Sequence, residues 1–131
     1  MKLIFIAGIS CLFLTACKSE EPAEEAAAPE EKKEPKHPWD WEPTDAALVA
    51  GKAVYMAECS GCHNEGEEGA PALTKAKEWA ERETKGMATL FDHAINGFDG
   101  YDGEMPARGG TPSLTDEEVK NAVTFMIKAP K

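Results

Sequence analysis

The chain has 131 residues, a length that suggests one domain. Its formal net charge is −10 at pH 7, from 14 Lys and Arg against 24 Asp and Glu, which argues against a protein that grips nucleic-acid phosphates. Negative charge on this scale either steers basic partners towards the surface or simply keeps an exported protein soluble.

At the N-terminus, Met1-Lys2 supplies a short positive start and Leu3 to Leu14 is an apolar run of twelve. A bilayer-spanning helix needs about 20 residues, so this run reads as the apolar region of a signal peptide. It leads into "LTAC", Leu14 to Cys17, which resembles the lipobox of bacterial lipoproteins. Residues 1–16 are then expected to be cleaved, leaving Cys17 lipidated on its sulfur as the new N-terminus. The plainer alternative is an uncleaved anchor with two idle thiols. Several acyl chains on Cys17 would form a firm membrane anchor. Losing Lys2 takes the formal net charge from −10 to −11, and losing Cys11 leaves Cys59 and Cys62 as the only thiols of the folded part.

Residues 17–43 comprise the lipidated Cys17 and an acidic tether rich in Glu, Ala and Pro, without apolar periodicity until its end. From residue 18 onwards it would span roughly 30 Å on average and at most about 80 Å as polyproline II. Trp39 and Trp41 interrupt its composition and are expected to cap the surface of the adjoining domain, 44–131.

In that domain Thr44 or Asp45 can cap a helix running towards Cys59, with Leu48, Gly51, Lys52 and Tyr55 at helical spacing. "KAKEWAERE" around Trp79 reads as a short helix. Met87, Leu90, Phe91, Ala94, Ile95 and Phe98 share one helical face. Thr115 and Glu118 form a capping box ahead of Val119, Ala122, Val123 and Met126. Nothing alternates with period two, so the predicted fold class is all-α. Two long connectors, "NEGEEGAP" and "NGFDGYDGEMPARGGTP", are crowded with Gly and Pro. A domain this small, with loops this long, calls for something besides side chains at its centre.

That filler is indicated by "CSGCH", residues 59 to 63. Cys-x-x-Cys-His is the attachment pattern of c-type haem: each thiol adds to one vinyl group, and His63 is carried under the ring to bind iron. Competing readings fit less well. Structural zinc wants four protein ligands and there is no second cysteine pair. A thioredoxin-like pair wants a βαβ context, and a simple disulfide leaves His63 without a part. For the opposite face of the iron the candidates are Met56, Met87, Met105, Met126, His37 and His93. Met56, Met87 and Met126 fall on helix faces and read as core, His37 lies in the tether, and His93 reads as a solvated surface residue. Met105 sits in the Gly-rich loop ahead of the rigid Pro106, free to be swung onto the iron.

Taken together, "CSGCH", "GAPAL", a Trp-bearing helix, "MPARGG" and "SLTDEEVKNAVTFM" resemble a small class I cytochrome c of the bacterial kind with an MPxxGG loop. The resemblance covers Thr44 to Lys131. It implies four to five helices wrapped around one covalently attached haem c, with thioethers on Cys59 and Cys62 and axial ligands His63 and Met105. It also implies that the Pro71 carbonyl holds the His63 ring, that Trp79 and Arg82 lie near a haem propionate, and that Gly51 lets Phe125 cross closely. The function expected is single-electron transfer in the cell envelope, not catalysis. The expected partners are redox proteins, those with basic docking surfaces included, for a monomer held to the membrane by its lipid. A gas sensor or catalytic haem protein with a labile Met ligand, and a fixed subunit of a larger redox complex, are the alternatives.

Overall fold

The computed structural model describes residues 35–131. The expected signal peptide 1–16, the lipid site Cys17 and the tether as far as residue 34 lie outside the described residues.

Helix α1 (Ala46–Val54) begins where the Asp45 carboxylate accepts from the amides of Ala47 and Leu48, at 3.0 and 3.2 Å. Asp45, not Thr44, is therefore the cap that satisfies these otherwise unpaired donors. The chain runs on through a wider π-type turn (Tyr55–Cys59) into α2 (Ser60–His63). A π-turn inserts an extra residue and rotates the next stretch of helix, and it is a common device at functional sites. Here it delivers Cys59 and His63. The remaining helices are α3 (Ala76–Glu83), α4 (Met87–Asn96) and α5 (Asp116–Lys128).

The architecture is helical, as the periodicity implies, with one addition. Strands β1 (Phe98–Asp99) and β2 (Glu104–Met105) pair antiparallel, Phe98 opposite Met105 and Asp99 opposite Glu104. Phe98 consequently does not belong to the face of α4 that its spacing suggested. Gly97 takes φ 88°, a left-handed conformation that stops the helix at Asn96 and turns the chain into β1. Two residues per strand give alternation no room to show.

Helices α1 and α5 cross at Gly51. A Cβ built there would collide with the Asn121 carbonyl and come within 3.1 Å of the Ala122 amide. The close partner is thus the backbone of α5 one turn before Phe125, not Phe125 itself. Phe125 packs beside the crossing, its ring centroid 5.4 Å from that of Tyr55. The N-terminus of α5 carries the capping box: the Glu118 amide donates to Thr115 Oγ1 at 3.3 Å and the Thr115 amide to Glu118 Oε2 at 2.8 Å.

Two apolar clusters result. One joins Tyr55, Leu73, Trp79, Phe125 and Met126; the other joins α4 to α5 through Ala94, Val119 and Val123, with Met105 and Leu114 against it. The first cluster also recruits residues ahead of α1. Pro38–Asp40 makes a 3₁₀ turn, Pro38 and Pro43 are buried, and the Trp41 ring stacks on Phe125 at 5.9 Å. Trp39 and Trp41 are half-buried against this cluster, covering it from the surface, and Pro38 to Pro43 pack with it ahead of Thr44.

Candidate haem site

The site is built around His63, which is only 7% exposed. Its Nδ1 lies 3.1 Å from the Pro71 carbonyl, an atom that can only accept, so Nδ1 carries the proton and Nε2 keeps its lone pair. The backbone fixes the ring further, since the Leu73 amide donates to the His63 carbonyl at 2.6 Å. Tyr55 OH donates to Asn64 Oδ1 one residue on. Burial holds the His63 pKa below the ordinary imidazole value; the Pro71 bond opposes this and the nearby Arg82 charge adds to it. The result is a neutral, oriented imidazole, which is the form that binds a metal.

His63 lines a cavity of about 570 Å³, within the usual range for cofactor pockets. Cys59, Cys62, Pro71, Trp79, Arg82 and Met105 line it too, so every haem-site residue expected from the sequence meets in one place. Both thiols are free, Cys59 half-buried and Cys62 exposed. Burial, with Glu58 and Cys62 assisting, pushes the Cys59 thiol up to about 11. The Trp79 indole donates to the Ala72 carbonyl at 2.8 Å and its ring lies 6.0 Å from His63, so it is a wall of the pocket. Arg82 is turned back on its own helix, donating to the Glu78 carbonyl at 3.0 Å.

Met105 is carried by β2. It shares with Cys59, His63 and Arg108 a second, small void of about 20 Å³. Among the other axial candidates, Met126 borders both cavities together with Met105. Met126 is buried and Met87 half-buried against the second cluster, whereas Met56, read as core, is 45% exposed. His37 is exposed and stacks on Trp39. His93 departs from its reading: it is half-buried, lines the large cavity and stacks on Phe98 at 4.1 Å. Its polar place on α4 gave no hint of this, because the partner ring arrives from β1.

The donor set fits covalently held haem: two thiols at Cys-x-x-Cys spacing, a neutral imidazole with Nε2 free, and a thioether bordering the same cavity. Comparison with known proteins agrees. A family model described as cytochrome C oxidase, cbb3-type, subunit III matches residues 46–126. Cytochrome c-555 of Chlorobaculum tepidum is 47% identical over 87 residues, 66% of this chain and 79% of that protein. The chain belongs to the small monohaem c-type cytochromes. Cytochrome c-555 of Chlorobaculum thiosulfatiphilum is 46% identical over 87 residues, covering 99% of that protein. A solved structure titled as an electron transfer complex of nitrite reductase with cytochrome c has a chain 31% identical to this cytochrome. The two align with a TM-score of 0.54, over 61% of this chain and 93% of that one.

The cofactor of this cytochrome is accordingly haem c, and its work is electron carriage, not enzymatic turnover. Arg108, Thr111 and Asn64 hold the site with no signal in the sequence, and Tyr55 was marked there only by its helical spacing. Arg108 donates to the Leu114 carbonyl at 2.7 Å and to Asp116 at 2.6 Å, and Thr111 donates to Glu58 at 2.6 Å. Tyr55 and Asn64 complete the ring's surroundings. Their partners are distant in sequence or sit in loops, where no periodicity marks them.

Proposed function

We propose that the protein is a lipid-tethered single-electron carrier of a bacterial cell envelope. Cys59 and Cys62 would hold one haem c by thioethers, with His63 and Met105 as its axial ligands and Cys17 carrying the anchor. The observation that carries this reading is the oriented His63 with Nε2 free, in one cavity with Met105 and both thiols. When bound, haem c supplies a one-electron couple, and a Met ligand raises its potential relative to two histidines. The protein's part is to keep the surroundings of the couple fixed and dry. Pro71 holds the imidazole, Trp79 walls the pocket, and the β1–β2 pairing carries Met105 into place. Were His63 and Met105 both to bind the iron, no position would be left for a substrate, which favours carriage over sensing or catalysis. Among the described residues no helix is long and apolar enough to cross a membrane, and the anchor in this reading is the lipid on Cys17.

The description of the matching family model supports one second reading, a cytochrome held permanently in a larger redox complex. Detergent extraction separates the two: a free monomer speaks for the carrier, stable co-purification for the subunit.

The deciding experiment is the visible spectrum of the purified, dithionite-reduced protein before and after carbon monoxide. A low-spin c-type spectrum unmoved by the gas is expected, with prompt carbon monoxide binding in Met105→Ala. Prompt binding by the unaltered protein would remove Met105 as a firm ligand and favour gas sensing or catalysis.

A further inference from the structure

Two loops meet at the mouth of the large cavity. One carries Glu67 and Glu68; the other, "FDGYDGE" from Phe98 to Glu104, carries Asp99, Asp102 and Glu104. They are pinned together by two glycines. A Cβ on Gly69 would collide with the Asp102 carbonyl, and a Cβ on Gly103 with the Glu68 carbonyl. The β1–β2 pairing sets Asp99 opposite Glu104 on the same hairpin. All five carboxylates are exposed, and none takes part in an ion pair among the described residues. Like charges fixed this closely repel one another, so the arrangement opposes folding unless a partner uses it.

At the hairpin tip Tyr101 is fully exposed, at 103%, and Phe98 behind it is 41% exposed. A projecting tyrosine with a charged surround has the anatomy of a protein-docking surface. The aromatic supplies contact area at small entropic cost, and the rim supplies steering and register. Lys85 lies 5.8 Å from the Phe98 ring centroid, over the ring, and takes part in no ion pair among the described residues.

We propose that this hairpin is the docking face for a redox protein with a basic surface and an apolar pocket that receives Tyr101. The proposal rests on the carrier reading above and adds the place, the charge and the anchor residue. Acidic rim and basic partner are complementary, whereas a second copy of this chain would bring the same negative patch against itself. In the complex one electron passes between partner and cytochrome. One is oxidised by a single unit as the other is reduced, and no bond or proton changes hands.

The test uses the full haem-loaded chain in stopped flow, variants being compared at matched haem spectrum. The probes are a cationic reductant, hexaammineruthenium(II), an anionic one, ascorbate, and a lysine-rich ferrous cytochrome c as basic protein. For the unaltered protein the rates with hexaammineruthenium(II) and with the basic protein should fall steeply with salt. In Asp99→Asn/Asp102→Asn/Glu104→Gln, both should drop about tenfold at low ionic strength while the ascorbate rate rises. Tyr101→Ala should slow exchange with the basic protein by about tenfold, and Tyr101→Phe should restore most of it. Hexaammineruthenium(II) rates within twofold of the unaltered protein in the triple variant would overturn the proposal, as would a fall in the ascorbate rate. An unaltered protein without a c-type spectrum, or inert to every reductant, would instead overturn the carrier reading on which it rests.

Discussion

Arg108 is a non-glycine residue held at φ 56° in the turn just after Pro106. A left-handed backbone costs an L-residue about 1–2 kcal/mol, so something must keep it there. Its guanidinium bridges the turn to the start of α5, bonding both the Leu114 carbonyl and the Asp116 carboxylate. Met105, three residues earlier, is thereby held between two restraints, the β1–β2 pairing and the Arg108 fork. Arg108 is thus a positioning residue for Met105. Arg108→Ala should lower stability by only about 1 kcal/mol, since the pair is partly exposed and screened. Its larger effect should be on the iron. Carbon monoxide should bind the ferrous protein faster, and the weak far-red band of ferric iron–thioether bonding should fade. Arg108→Lys should recover only part of this, because an ammonium cannot span both acceptors as a planar fork does. Unchanged gas binding in Arg108→Ala would leave Arg108 a mere surface contact.

At the scale of elements, the α1–α5 crossing depends on a single missing methyl group. Glycine inside a helix costs about 1 kcal/mol relative to alanine, and here the deficit is offset because α5 presses its backbone onto Gly51. Gly51→Ala should therefore reverse the usual gain in helix propensity and destabilise by about 1–3 kcal/mol or more, seen as a lower denaturation midpoint. An increase in stability would mean that the helices can slide apart at no cost. The glycine, the capping box of α5 and the apolar face of α4 were all legible, because each is a local signal at helical spacing. Their surroundings were less so. Phe125 was assigned to Gly51 although the contact falls one turn earlier, since sequence gives the face of a helix but not the height of a crossing. Phe98 fitted the α4 period by coincidence, and only the positive φ of Gly97 diverts it. Trp41 stood in a tether-like composition, and its stacking on Phe125 is a contact across 84 positions that no local pattern encodes.

For the whole molecule, Cys59, Cys62 and His63 stood out as candidates because covalent attachment demands fixed spacing, whereas the walls of the cavity are drawn from α3, α4, α5 and the loops between elements and have no motif. Those walls also say what holds the domain together. The cleft of about 570 Å³ is open to solvent, so the residues that line it lack the packing partners of an ordinary core. The loop that carries Pro71, a residue outside both apolar clusters, should therefore loosen first. The Cys59→Ala/Cys62→Ala chain, which cannot form the thioethers, should accordingly keep much of its far-ultraviolet helix signal. It should also bind a hydrophobic dye and melt without a sharp transition. Calorimetry checks this directly. A cooperative transition in that variant close to the haem-loaded protein would show that the two apolar clusters suffice as a core, and that the cofactor is a guest in a preformed fold. A broad or absent transition would make the cofactor itself the centre of the core, joining the α4–α5 cluster to the one built on Tyr55, Trp79 and Phe125.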